Sequence, residues 1–339
     1  MSGNLLSVEN VTRSYALGGL FGRGHFNAVE DVSFSIPDGK PEIFTIVGES
    51  GSGKSTLAKM ILNLAVPTSG RILLRGTDVT NARNRRGRLA FMAAVQPIFQ
   101  NPFEAFSPLK RVDGYLLKTA RTFAGAKSEA EAQAAADQAL RNVGLTFAEI
   151  ERRFPHELSG GQIQRVAIAR ALIPKPALIV ADEPVSMVDA SLRATILTSL
   201  RRLTDEMGIS IVYITHDLAT AYQVSDNILV MYRACVAEAG AVERVVKHPQ
   251  HPYTQLLIAS IPQVSTTRDW LEEAGDQPPA PAPSAHGCRF VDRCPVAMDK
   301  CTTALPPLFR TEPARAAACF RHEAHPELAA GALSEVLGG

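Results

Sequence analysis

Residues 43–64 read IFTIVGESGSGKSTLAKMILNL. The first five are apolar, the composition of a strand buried on both faces of a sheet. The next nine, GESGSGKST, fit the pattern G-x-x-x-x-G-K-[ST], and residues 55–64 then read as a helix. Strand, glycine loop and helix in that order predict a phosphate-binding turn. The glycines let the backbone turn its N–H groups toward phosphate oxygens, and the helix start adds its dipole to the anion site. Gly48, Glu49, Ser50, Gly51, Ser52, Gly53, Lys54, Ser55 and Thr56 are therefore the candidate nucleotide-binding residues. Lys54 is placed to reach the β- and γ-phosphates, and the Ser55 hydroxyl to ligate Mg²⁺.

On the N-terminal side, residues 5–11 and 29–36 alternate apolar and polar in short runs around a glycine-rich stretch at 18–24, which predicts antiparallel strands joined by a loop. On the C-terminal side the texture turns helical from about residue 101 to 176. Ser128 and Glu131 form a capping-box pattern ahead of the alanine-rich run 129–143, and Gly144 supplies the stop. Apolar β-branched runs return at 177–181, 209–215 and 228–232, followed by 236–246 and a helix after Pro252. This is an α/β pattern: a parallel core, an antiparallel β-subdomain before it and a helical insertion in its middle.

The run LIVADE, residues 178–183, ends an apolar strand in two carboxylates. Asp182 is placed to hold Mg²⁺, and Glu183, one residue on, is the candidate general base for an attacking water. To this point the reading is nucleoside triphosphate binding and cleavage, which a kinase would share. Composition narrows it in other ways. The 339 residues carry 35 Lys and Arg against 34 Asp and Glu, so there is no basic field for general nucleic-acid binding, and the arginine cluster at 83–88 reads as a solvated face. No apolar run reaches the roughly 18 residues of a membrane span, and the start MSGNLLSVEN has no leader pattern. A cytosolic chain that reaches a membrane through partners is expected.

Residues 158–172, LSGGQIQRVAIARAL, place Ser159, Gly160, Gly161 and Gln162 at a helix start, a second anion site with no lysine of its own. This resembles the signature of ABC-type ATPases. Other landmarks of that family fall in order: Gln100 in IFQNP matches the Q-loop glutamine, a further Mg²⁺ contact; His216 in ITHDL matches the switch histidine; Asp189 in SMVD matches the D-loop; Tyr15 in VTRSY matches the aromatic that stacks on adenine, with Phe26 as competitor. The resemblance implies a P-loop ABC ATPase fold and ATP hydrolysis with Glu183, His216 and Gln100 in catalytic roles. It also implies a second ATPase subunit whose signature closes over this chain's ATP. HPYT at 251–254 and the cysteine-rich tail resemble the oligopeptide and dipeptide importer branch, some of whose members carry oligosaccharides or nickel complexes. That implies two membrane permease subunits, an extracytoplasmic solute-binding protein and a place on the cytoplasmic face of the plasma membrane.

The expected organisation is a nucleotide-binding domain over 1–264, a Pro- and Ala-rich linker over 265–287 and a cysteine-rich extension over 288–326, with a frayed end beyond about residue 327. Cys288, Cys294, Cys301 and Cys319 are spaced C-x5-C-x6-C-x17-C. Four thiolates suit an iron–sulfur cluster or zinc, with a plain structural tail as the third reading, and the resemblance associates this tail with [4Fe–4S]. Cys235 reads as a buried small hydrophobe. Two rival functions remain: a soluble ABC ATPase acting on nucleic acid or ribosomes, and a redox-sensing module built on the cysteines.

Overall fold

The computed structural model describes residues 3–17, 24–81, 84–186, 188–261, 287–329 and 331–337. Most of the glycine-rich stretch and nearly all of the expected linker lie outside the described residues.

Two N-terminal strands, β1 (Asn4–Leu17) and β2 (Gly24–Pro37), pair antiparallel in a four-stranded sheet with β4 (Ser69–Leu74) and β5 (Thr77–Asp78), in the order β2-β1-β4-β5. Both strands run longer than their apolar alternation. Register shifts between Val8 and Ser14 break the period of two, and pairing continues out to Tyr15 opposite Phe26. Between the two sheets' elements the chain builds β3 (Ile43–Val47), wholly buried, and α1 (Lys54–Ile61).

After α2 (Arg85–Ala94) and β6 (Val95–Ile98) comes the helical insertion: α3 (Val112–Phe123), α4 (Glu129–Arg141), α5 (Phe147–Ile150) and α6 (Gly160–Leu172). Ser128 caps α4 by accepting from the Glu131 amide at 3.2 Å. The Glu131 carboxylate reaches back to the Lys127 amide (2.7 Å), one residue further out than a capping box requires. The core resumes with β7 (Leu178–Asp182), α7 (Ala190–Met207), β8 (Ser210–Thr215), α8 (Leu218–Val224), β9 (Asn227–Tyr232), β10 (Cys235–Ala241), α9 (Val242–Lys247) and α10 (Pro252–Ala259). α11 (Asp299–Thr303), β11 (Phe309–Glu312), β12 (Arg315–Ala317) and α12 (Leu333–Leu337) complete it.

The main sheet has the order β11-β12-β10-β9-β3-β8-β7-β6, parallel from β9 to β6 and antiparallel beyond. One apolar core fills the space between this sheet and the helical insertion, and a second lies between it, α1 and the antiparallel sheet. The cysteine-bearing segment thus adds two strands to the main sheet. The end of the chain is not frayed as expected: Leu333, Val336 and Leu337 of α12 are buried in the second core. An apolar stripe on five residues is enough to dock a helix whose composition is otherwise that of a loop.

Two buried titratable groups oppose each other. Burial pushes the Glu42 carboxyl up to about 7, against the Asn227 amide that donates to it at 2.5 Å. Burial pushes the His251 imidazole down to about 4, with His322 adding to the effect. Between pH 4.5 and 6.5 the folded chain binds the Glu42 proton that the unfolded chain has lost, and lacks the His251 proton that the unfolded chain has gained. The two contributions to stability therefore slope in opposite directions with pH and largely cancel. In Glu42→Gln only the histidine slope remains, so Tm is expected to rise with pH across this window relative to the parent. A parallel pair of Tm profiles would refute it.

Candidate active site

The glycine loop joins the C-terminal end of β3 to α1 and is held by close backbone approach. A Cβ on Gly48 would lie 2.1 Å from the Met231 carbonyl oxygen. One on Gly53, where φ is 106°, would lie 2.1 Å from that of Ala28. Both positions therefore require glycine. The Lys54 ammonium is buried and donates to the carbonyls of Gly48 (2.7 Å) and Glu49 (2.9 Å). Burial lowers its pKa, and the carboxylates of Glu183, Asp182 and Glu49 pull it back up. Ser52 Oγ is buried with no hydrogen-bond partner among the described residues, a polar atom left over inside the loop.

Asp182 ends β7 beside the loop, where its Oδ1 lies 3.4 Å from Ser55 Oγ, and burial raises its pKa. Two convergent oxygen donors suit a hard cation such as Mg²⁺. Gln100 instead turns its amide nitrogen to Glu183 Oε2 (3.0 Å), and His216 Nδ1 lies 2.8 Å from Glu183 Oε1. Glu183 sits at a φ of 46°, uncommon for a side-chain-bearing residue, with its amide donating to Ile214 O (2.9 Å) and its carbonyl accepting from Ser186 N and Oγ. The carboxylate is thereby aimed out of the strand end and fixed at both oxygens. The Gln164 amide on buried α6 donates to Pro184 O at 2.9 Å, tying the signature helix to the turn that carries Glu183.

One open cleft of about 1060 Å³ is lined by Lys54, Ser55, Thr56, Gln100, Glu183 and His216 together with Tyr15, His25 and Phe26, while Asp182 lies outside its lining. Tyr15 and Phe26 stack with ring centroids 5.7 Å apart, and the Arg13 guanidinium covers the Tyr15 ring, so the two aromatic candidates form one platform. Ser50, Gly51 and Gly53 also line the cleft, whereas Glu49 and Ser52 do not. The signature residues Ser159, Gly160, Gly161 and Gln162 and the D-loop Asp189 are absent from its lining as well. Ser159 and Gln162 cap each other's backbone amides at 3.2 and 3.0 Å, with Ser159 and Gly160 exposed. Gly161 is pressed on Leu192 of α7, and Asp189 caps that helix by accepting from Leu192 N.

Residues that sequence reading missed also border the cleft: Asn27, Arg233 and Arg289, the last from the cysteine-bearing segment. No local pattern marks them. The four cysteines gather in one region, yet among the described residues no three His, Cys, Asp or Glu side chains are placed to hold a metal ion. The expected iron–sulfur or zinc ligand set at Cys288, Cys294, Cys301 and Cys319 is not supported. Burial pushes the Cys288 thiol up to about 11, with the other three thiols adding to the shift, and burial likewise raises Cys294 and Cys319. Cys235 is only partly sequestered, and its thiol lies 3.8 Å from Glu30 Oε2.

A parallel sheet with a phosphate loop at the C-terminal end of one strand, a carboxylate pair at another and a helix-start anion site set apart from both defines an ATP-hydrolysing cassette. Comparison with known proteins bears this out. A family profile for the ABC transporter matches residues 29–186, and one for the oligopeptide/dipeptide transporter C-terminal region matches residues 237–301. A Sinorhizobium fredii protein named as a probable peptide ABC transporter ATP-binding protein is 39% identical over 94% of this chain and 90% of its own. The oligopeptide transport ATP-binding protein AppF of Bacillus subtilis is 36% identical over 93% and 96%. Among solved structures, the ATP-binding cassette MJ0796 in a dimeric post-hydrolysis state bound to ADP and Pi has a TM-score of 0.61 and 27% identity over 70% of this chain and 98% of its own. The chain belongs to the family of ABC transporter ATP-binding proteins, and it is an ATPase. No helix among the described residues is long and apolar enough to cross a membrane.

Proposed function

We propose that this chain powers import of oligopeptides, dipeptides or related small solutes, working as one half of a head-to-tail ATPase pair on the cytoplasmic face of the plasma membrane. The observation that carries the pairing is the separation of the signature from the cleft. Lys54, Ser55, Gln100, Glu183 and His216 share one cavity, while Ser159 and Gly160 stand exposed at the start of the signature helix, away from that cavity, with no phosphate loop to serve. A second ATPase subunit supplies the missing half of each site. The match to the oligopeptide/dipeptide C-terminal region and relatives named for peptide transport support the solute class.

In this reading Lys54 and the loop amides hold the triphosphate, Tyr15 and Phe26 receive the adenine, and Glu183 accepts the proton of the attacking water while Gln100 and His216 orient it. Ser55 and Asp182, with Gln100, would hold Mg²⁺, which neutralises phosphate charge when bound. Asp189 lies at the pair interface. Phe103 and Leu109, just beyond Gln100, are 45% and 86% exposed and offer an apolar surface to the two permease subunits. An extracytoplasmic solute-binding protein selects the cargo. The domain boundaries expected from sequence, a nucleotide-binding unit to 264 and an extension from 288, belong to the same proposal.

The pairing is tested by Ser159→Arg, which is expected to leave ATP binding by the chain intact and to lower turnover by about 10²-fold or more, the scale of losing a preorganised charge-stabilising donor. Co-purification with two permease subunits is the companion measurement. Full turnover by a monomer carrying Ser159→Arg would overturn the pairing.

A further inference from the structure

The cysteine-bearing segment touches the nucleotide loop itself. Arg293 Nη1 lies 3.0 and 3.1 Å from the two carboxylate oxygens of Glu49, the second residue of the loop, and also donates to Tyr232 Oη at 3.3 Å. Arg289 Nη2 lies 2.6 Å from Glu30 Oε2, and both side chains border the ATP cleft. Between the two arginines the buried Phe290 packs edge-on against Tyr232 (5.3 Å) and at a tilt against Tyr253 (5.7 Å), fixing the turn that presents them. Tyr253 in turn accepts from the Glu49 amide at 2.9 Å.

Glu49 is thus held by its amide and its carboxylate while its carbonyl receives Lys54 Nζ. Displacing Glu49 would move the partner of the lysine that binds phosphate. Its carboxylate also acts electrostatically on Lys54, and an uncompensated negative charge there would repel the incoming triphosphate. Both ion pairs are partly exposed, 28% and 43% for Arg293 and Glu49, so they add little to global stability. Their consequence is local.

We propose that Arg293 and Arg289 are positioning residues for ATP: they clamp and neutralise Glu49 and Glu30, and so make the nucleotide affinity of this chain depend on its C-terminal cysteine-bearing segment. This rests on the ATP-site reading above and deepens it.

The test is displacement of a fluorescent ATP analogue by ATP on the full-length chain, with Tm measured in parallel. Arg293→Ala is expected to weaken ATP about 10-fold with Tm almost unmoved, and Arg293→Lys to stay within about 3-fold of the parent because the charge is kept. Adding Glu49→Gln to Arg293→Ala should recover most of the loss, since the uncompensated carboxylate is gone; a merely structural contact would leave the double variant as impaired as Arg293→Ala. Should Arg293→Ala fail to fold, Arg293→Gln gives the same reading with size preserved. Lys54→Ala serves as the separate control of the site: if it binds ATP normally, the ATP-site reading fails. If Lys54→Ala loses ATP while Arg293→Ala and Arg289→Ala bind it like the parent, or if the double variant binds ATP no better than Arg293→Ala, the clamp is overturned.

Discussion

Glu183→Gln is expected to lower steady-state ATP turnover by roughly 10³-fold, within the range attributed to a positioned general base, while leaving ATP affinity within a few-fold of the parent. The geometry says why the two effects separate. Glu183 touches Gln100 and His216 through its two carboxylate oxygens and reaches neither Ser55 nor the loop carbonyls that hold Lys54. Glutamine keeps the size and can still hydrogen-bond to His216, so the phosphate cradle stands, but an amide takes no proton from water. A pair that binds ATP and fails to cleave it should accumulate closed. Sedimentation with Mg–ATP is therefore expected to show a dimer for Glu183→Gln, alone or with its sister subunit, at protein concentrations where the parent is monomeric. Turnover at the parental rate would remove Glu183 as the base and pass that role to another group in the cleft.

The parts of this site that sequence reading found are those in which geometry is encoded within a few residues. Strand, glycine loop and helix follow one another without interruption from Ile43 to Ile61, and Asp182 and Glu183 stand where an apolar run stops. Tyr15 and Phe26 were rivals in the sequence because nothing local decides a strand register; once paired they turn out to be stacked neighbours. The C-terminal contribution was illegible for a different reason. Arg289 to Glu30 and Arg293 to Glu49 span 259 and 244 residues, and no periodicity carries information over that distance. The cysteine spacing drew attention to ligation, whereas the chemistry that reaches the ATP cleft belongs to the arginines between the thiols. α12 escaped because three apolar residues among Gly, Ala and Ser do not form a pattern until there is a core to receive them.

Arg315→Ala is expected to cost about 3–5 kcal/mol of folding stability, the largest single loss outside the apolar core, because it strands a buried charge. Arg315 and Glu238 are 1% and 0% exposed, and Arg315 donates to Glu238 Oε1 from Nε at 3.1 Å and from Nη2 at 2.8 Å. The same carboxylate accepts the amides of Gln250 (3.1 Å to each oxygen) and His251 (2.9 Å), while Arg315 also donates to His248 O. One buried pair therefore joins β12 to β10 and to the turn that leads into α10. Gly240 lies opposite Arg315 in the sheet, and a Cβ there would meet Ala314 O at 2.8 Å and Arg315 Cγ at 3.2 Å, so the strand is glycine where the arginine crosses it. The loss should appear as a Tm drop of about 4–7 °C. Glu238→Gln combined with Arg315→Met, which removes both charges and keeps most of the volume, should lose much less than Arg315→Ala. If the single and double variants are equally unstable, packing and not charge compensation holds this edge. Because α10 carries the Tyr253 hydroxyl that receives the Glu49 amide, loosening β12 also loosens one support of the nucleotide loop. ATP should consequently protect Arg315→Ala against unfolding less than it protects the parent, at equal ATP concentration.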